Sequence, residues 1–508
     1  MEDKRQPNDN IRDSAVDELK STAEVAEFVE DGHSHTIADF NKKEAALRRK
    51  LDWYIAPVMM MCMLISYLDR GNIGFAASQG MTTEIGLTGN QLNASPLKEP
   101  IPFTAVSIFY ATYVLAEFPT SIYVKRLQFN RVIPILVLCW GLVCMCCGFV
   151  QNFAGLVVIR LLLGWFEGCL FPSMTLLLAN WYRREELAQR ISYLFIASAL
   201  SGAFGGLIAF GILYMDNVAG YPGWRWLYII EGLITLVWAA CCVWLIPANY
   251  QTAYFLNDEE KKIMAVRAEL SESYSGGDGH YGMKDVKLAF KDIKTWLHGV
   301  SQIAVVTILY GFGTFLPLII KNGFHYSTKQ AQYLVIPPNV WGAIVYAVGA
   351  WISDKYHKRF WIMIVCAPIG IAGYAILLRQ DDVAVGVRYF ATFLIATACF
   401  LCTGGNIAWM SGNVAPDGKR AASLGTQLTL TNLGGIISGQ IYASTDAPGY
   451  VLGHSWSLGS LAFAFIVFII IRILYERRET EKEKLRQQGY VTPAGELTDR
   501  SPEFKYQL

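Results

Sequence analysis

Along the chain, long apolar runs alternate with short polar stretches, and the runs fall into two groups of six. The first group lies near residues 53–75, 103–124, 132–150, 153–178, 189–214 and 225–247, the second near 298–320, 333–353, 360–378, 386–410, 420–443 and 452–475. Each run is long enough for a helix to cross a hydrocarbon layer of ~30 Å. Backbone groups facing lipid must find partners within their own segment, so such runs are read as helices. The pattern predicts an all-α membrane protein with twelve transmembrane helices in two six-helix halves.

The polar stretches set the rest of the plan. Residues 1–50 are charged and lack the apolar core of a signal peptide, so they are expected to be a disordered tail. Residues 51–247 make the first half, 248–297 a central loop, 298–475 the second half and 476–508 a second tail. Within the central loop, 257–270 reads as an amphipathic surface helix and 275–282 as a flexible linker. Lysines and arginines gather before the first run (Lys42, Lys43, Arg48, Arg49, Lys50) and in alternate loops (Lys125/Arg126/Arg131, Arg183/Arg184/Arg190, Lys355/Lys358/Arg359, Lys419/Arg420, Arg477/Arg478). Positive charge marks the cytosolic side, so both termini are expected there.

Composition narrows the function classes. Of 508 residues, 53% are hydrophobic and 17% charged, against roughly a quarter charged in soluble proteins, which argues against a soluble enzyme. A net charge of +1 gives no footprint for nucleic acid. All eleven cysteines lie in apolar runs, and the pairs at 144/147 and 399/402 lack nearby histidines, so neither a metal nor a cofactor is expected.

Charge inside a spanning segment is expensive and points to function. In YLDRGNIGFA, Asp69 and Arg70 point about 100° apart on a helix and can face different parts of a cavity. An ion pair at the outer interface is the alternative. In RLLLGWFEGCLFP, Arg160 and Glu167 share a face, and Gly164 and Gly168 let a neighbouring helix shield the glutamate. Proton carriage by Glu167 competes here with a structural salt bridge. Glu117 reads as a gate or helix-end anchor, and Arg225 with Glu231 as a structural pairing. The second half offers amides, namely Asn406, Asn413, Gln427 and Asn432, which serve as interhelical glue as readily as substrate ligands. Glycines in SGAFGG (201–206) and LGG (433–435) suit helices that pack closely and slide.

The loop AWISDKYHKR, with Asp354, Lys355, Lys358 and Arg359, resembles the G-x-x-x-D-[RK]-x-G-[RK]-[RK] loop of the major facilitator superfamily. The corresponding first-half loop keeps Lys125 and Arg126 but has Val124 near the aspartate's place. More specifically, LDRGNIGFA, SIFYATYVLAEFPTS, RLLLGWFEGCLFPS, WYRREELAQR, SGAFGGLIA and GWRWLYIIEG together resemble the anion:cation symporter family, in its fungal allantoate permease branch. The resemblance implies the major facilitator fold. It assigns Arg70 to a substrate carboxylate, Asp69 and Glu167 to protonation and Arg160 to tuning Glu167. It places Asn413 and Asn432 where second-half substrate contacts are expected, with Gln427 a further candidate, and gives the Asp354 and Lys125 loops to gating. Residues 94–104 look like an insertion relative to these relatives.

The function expected is proton-coupled uptake of a small carboxylate such as nicotinate, pantothenate or allantoate, by a monomer in the plasma membrane. Export of a secondary metabolite is the nearest alternative; exporters of that kind commonly carry a glycine-proline signature in the fifth helix, and SGAFGG has no proline. A membrane enzyme would need a nucleophile or histidine near the acids, whereas His298, His325, His357 and His454 lie near segment ends or in loops. A sensor without flux is a third reading.

Overall fold

The computed structural model describes residues 37–86, 105–123, 129–273, 283–356, 358–442, 446–488, 490, 492 and 498–507. The helices are α1 Ile37–Tyr54, α2 Ala56–Ser78, α3 Met81–Glu84, α4 Ala105–Tyr123, α5 Phe129–Cys147, α6 Phe153–Gly168, α7 Leu170–Trp181, α8 Arg184–Ile212, α9 Gly223–Leu245, α10 Asp258–Ser273, α11 Met283–Lys291, α12 Ile293–Leu318, α13 Thr328–Leu334, α14 Ile336–Tyr356, α15 Arg359–Leu378, α16 Val385–Gly412, α17 Asp417–Ile441 and α18 Val451–Gln487. Among the described residues, ten helical stretches are long and apolar enough to cross a membrane, and α4 adds a shorter apolar one at Ala105–Glu117. The twelfth, α17, has the length but carries Thr426, Gln427, Thr431 and Asn432. Its threonines return their hydroxyls to carbonyls four residues back, at Ala422 and Gln427, which lets a polar helix lie between other helices.

In the first half α2 packs on α8, α4 on α6 and α5 on α9, and in the second α12 packs on α17 and α18 and α15 on α16. Glycines set the closest approaches. A Cβ at Gly168 would sit 2.5 Å from the Tyr113 carbonyl oxygen, and one at Gly164 would overlap that of Phe109, so α4 lies directly on α6. Between the halves, α2 meets α12, α4 meets α17 and α8 meets α14. Gly74 lies against the Thr314 backbone, Gly435 against the Tyr110 ring and Gly206 against the Gln332 carbonyl. Hydrogen bonds across this interface gather where α2 ends and α4 begins. Ser78 receives Lys321, Thr328 and Gln332, and Ser107 donates to the Ile436 carbonyl and accepts from Gln440.

The opposite, basic end departs from the expected plan. Residues 37–50, expected as disordered tail, are helical in α1, because Phe40, Leu47 and Leu51 form a stripe that is buried. Polar bonds fix it: Glu44 meets Arg267 at 2.8 Å and Arg183 at 3.1 Å, and Asp52 meets Arg190 at 2.6 Å. Helix α12 begins at Ile293, inside the stretch assigned to the loop, and α18 runs on to Gln487. Residues 498–507 fold back on the second half. There Asp499 accepts from Lys294 and, at 2.8 Å, from Lys419, while Lys482 and Arg486 donate to the carbonyls of Phe504 and Pro502.

Asp292 caps α12 and joins this cluster through Lys419 and Arg478. Burial pushes its carboxyl up, but Lys294 and Lys419 outweigh that and hold it well below the usual carboxylate range. Its contribution to stability is therefore complete above about pH 4 and disappears only as the pH falls further. Asp499→Asn leaves the fully buried Lys294 and its neighbour Lys419 with one carboxylate fewer, and should cost about 3 kcal/mol or more. The expected readout is a thermal midpoint in detergent several degrees below wild type; an unchanged midpoint would show that the tail is not anchored this way.

Candidate functional site

A cavity lies between the halves, walled by Tyr67, Arg70, Tyr110, Ser201, Tyr310 and Asn339 among others. Its interior has room for a few waters. The walls come from α2, α4, α8, α12, α14 and α16, so both halves contribute.

Arg70 is the charged residue on this wall. Its Nε donates to Glu167 Oε2 at 2.7 Å and its Nη2 to Ser66 Oγ at 3.2 Å. The rings of Tyr67 and Tyr113 lie 4.5 and 4.7 Å from the guanidinium, a geometry that favours a desolvated cation. A guanidinium has five N–H donors in a planar fork, and those beyond Glu167 and Ser66 suit an incoming carboxylate. Glu167 is fully buried and its second oxygen, Oε1, has no hydrogen-bond partner.

Asp69 turns away from the cavity, as adjacent helical positions should. It accepts from Trp140 Nε1 at 2.7 Å, from Cys144 Sγ at 3.2 Å and from Asn72 Nδ2 at 3.5 Å. Asn72 also donates to Glu231. Arg160 Nη2 donates to the Tyr228 hydroxyl at 3.3 Å. Sharing a face of α6 therefore does not make Arg160 the ion-pair partner of Glu167; α2 inserts Arg70 there instead. The pairing of Arg225 with Glu231 is likewise replaced, because residues six apart point about 120° apart on a helix. Arg225 meets Glu84 at 3.0 Å, and Glu231 meets Asn72.

The second-half amides scatter. Asn432 Nδ2 donates to Glu117 Oε2 at 2.9 Å, a bond between the halves. Gln427 is fully buried, with neither amide atom hydrogen-bonded. Asn413 lies at the basic end, where it donates to the Trp409 carbonyl and accepts from the Gln507 backbone, so it is not part of the cavity. Asn406 is bonded to His298 and Gln302 inside the second half. Of the gating candidates, Lys125 and Arg126 lie outside the described residues, as do the side chain of Asp354 and the 94–104 segment. Lys355 rests over the Trp351 ring, Lys358 is exposed before α15, and Arg359 donates to the Ala408 carbonyl. Sequence reasoning missed Asn339 and the tyrosines of the wall. Asn339, in IPPNVWG, was visible as a lone amide in an apolar run, whereas the tyrosines carry no such signal.

Residues 59–439 match the family model of the Major Facilitator Superfamily. The chain belongs to that superfamily. An uncharacterized transporter of Schizosaccharomyces pombe is 35% identical over 98% of this chain and 97% of its own length. The high-affinity nicotinic acid transporter of Saccharomyces cerevisiae is 33% identical, over 91% of this chain and 85% of its own. Among solved structures, a bacterial homolog of the human lysosomal transporter Spinster, in an inward-facing and unoccupied conformation, superposes with a TM-score of 0.63 at 14% identity, over 82% of this chain and 96% of that one. This member of the Major Facilitator Superfamily is thus an integral, multi-pass membrane protein of the transporter class with fungal relatives.

Trp140 is fully buried and gives Asp69 its shortest hydrogen bond. Trp140→Phe keeps the aromatic ring but withdraws the donor, and should cost about 1.5–3 kcal/mol. Thermal unfolding in detergent measures the loss, and stability equal to wild type would mean that Asp69 does not depend on this bond.

Proposed function

We propose that this transporter takes up a small monocarboxylate together with a proton, across the plasma membrane, and that Arg70 binds the carboxylate. The supporting observation is the Arg70–Glu167 pair, in which a cavity-lining guanidinium is held by a displaceable counter-ion. A substrate carboxylate that engages the guanidinium tip competes with Glu167 for the same positive charge. Once displaced, Glu167 is a buried carboxyl without a cation, and taking up a proton removes that penalty. Substrate and proton thereby enter the cycle together. Asp69, held by donors from Trp140, Cys144 and Asn72, keeps its charge.

The guanidinium on the cavity wall and the likeness to a nicotinic acid transporter support a small aromatic or aliphatic monoacid as substrate. Release follows a rocking of the halves about the cavity, over the close contacts at Gly74, Gly206 and Gly435. With one proton per monoanion the cycle is electroneutral. An outside pH lower by two units then supplies about 2.7 kcal/mol, near a hundredfold accumulation, from ~1.36 kcal/mol per unit.

Proteoliposomes carrying a trapped pH dye test this. Nicotinate, pantothenate and allantoate are added beside their neutral amides, with empty liposomes to correct for passive permeation of the free acids. One acid, and not its amide, should acidify the lumen. Arg70→Gln should abolish binding and uptake, whereas Glu167→Gln should retain substrate exchange and lose accumulation driven by outside acid. Normal uptake by Arg70→Gln would remove the carboxylate site from this cavity.

A further inference from the structure

The buried middle of the first half holds more acids than its cations can balance. Asp69, Glu167 and Glu231 are each at most 3% exposed, and the buried guanidiniums beside them are Arg70 and Arg160. Arg225 lies further out and is engaged by Glu84. Glu117 is on α4 against Asn432, apart from this group. Glu167 is paired with Arg70 at 2.7 Å, and Arg160, bonded to the Tyr228 hydroxyl, is the one buried guanidinium beside the other two acids among the described residues. Glu231 is left over. The charged group beside it is Asp69, a like charge, linked to it through the shared amide of Asn72. Its Oε1 is buried without a hydrogen-bond partner.

Charge can stay buried in a bilayer only where a partner neutralises it. The two linked acids differ in their surroundings. Donors from Trp140, Cys144 and Asn72 converge on Asp69, which marks it as the ionised member. Glu231 has the single donor Asn72 and an open oxygen. From α2 it is faced by Asp69 and Asn72, from α5 by Cys144 with Cys147 close by, across them by Arg160 of α6, and on its own helix by Tyr228.

We infer that Glu231 stays a protonated carboxylic acid through the transport cycle at neutral pH, a positioning residue that shares Asn72 with Asp69 and keeps Asp69 the sole charge opposing Arg160. The inference rests on the transport cycle proposed above. In the empty carrier Glu167 balances Arg70; in the loaded one the substrate carboxylate does, and Glu167 holds the travelling proton. Glu231 lacks a cation in both states, so its proton is retained and is not cargo. It follows that the three acids of this group move one proton per monoanion.

Infrared spectroscopy of the purified full-length protein at neutral pH reads this directly, without reference to transport. The wild type should show a protonated-carboxyl C=O band that disappears in Glu231→Gln and persists in Glu117→Gln and Glu167→Gln. Absence of the band in wild type, or its survival in Glu231→Gln, overturns the inference. That reading of the wild type needs no variant to fold. In proteoliposomes loaded with nicotinate, exchange by Glu231→Gln should stay within about twofold of wild type at neutral pH and persist at alkaline pH, where wild type declines as Glu231 ionises. A shared alkaline decline would place the titrating group elsewhere. If nicotinate is not a substrate at all, exchange is silent in both proteins and the infrared band still decides.

Discussion

The arrangement depends on keeping one ion pair, Arg70 with Glu167, inside a bilayer. A lone charge at that depth costs ~2.5–3.5 kcal/mol by insertion scales, and much of the first half can be read as the shell that makes the pair tolerable. Gly164 and Gly168 let the α4 backbone rest on α6, which seals Glu167 from lipid. The same approach brings Phe109 and Tyr113 of α4 against the guanidinium, and Tyr67 covers it from α2. Tyr110 stacks on Tyr310 of the second half at 4.8 Å, so the aromatic lining passes from one half to the other beside the arginine. The pair is enclosed but not saturated: Glu167 keeps one oxygen unbonded. A fully satisfied pair would be a structural bridge; this one leaves room for exchange of partners.

What the sequence disclosed and what it withheld separate along a physical line. Twelve segments were legible because apolar run length is fixed by bilayer thickness, and Asp69, Arg70, Arg160 and Glu167 were legible because charge stands out in such runs. Partner choice was not legible. Glu167 and Arg160 share a face of one helix, yet the contact that forms is with Arg70 on another, because glycine-seated packing decides which helix comes close. Depth was also hidden. Asn413 caps the end of a 28-residue helix, and a few residues' uncertainty in where a span ends carries an amide from the cavity to the buried contacts of the basic end. Helix α1 was lost for a different reason: its charged residues dominate its composition, while the stripe of Phe40, Leu47 and Leu51 that buries it is narrow. Asn72, three residues beyond Asp69 and so on its face, could have been found.

The two polar clusters at the basic end have a common property. Glu44, Asp52, Glu186, Arg190 and Arg267 tie α1 and α10 to the first half, and Asp292, Lys294, Lys419, Arg478 and Asp499 tie the tail to the second. Among the described residues, these bonds of each cluster stay within its own half. Among the described residues, the hydrogen bonds across the interface include a group at Ser78 and Ser107 on the opposite end, and Asn432 to Glu117 deeper in. A bond of this sort contributes about 1 kcal/mol net, and water can replace it where the halves part. Rigid bodies joined by replaceable bonds and glycine contacts move as bodies. In the proposed cycle the buried charges matter twice, because the Arg70–Glu167 pair belongs wholly to one half. Under that proposal Arg70 and Glu167 exchange partners without either crossing the interface, so coupling is completed inside the first half while the second half closes over the substrate.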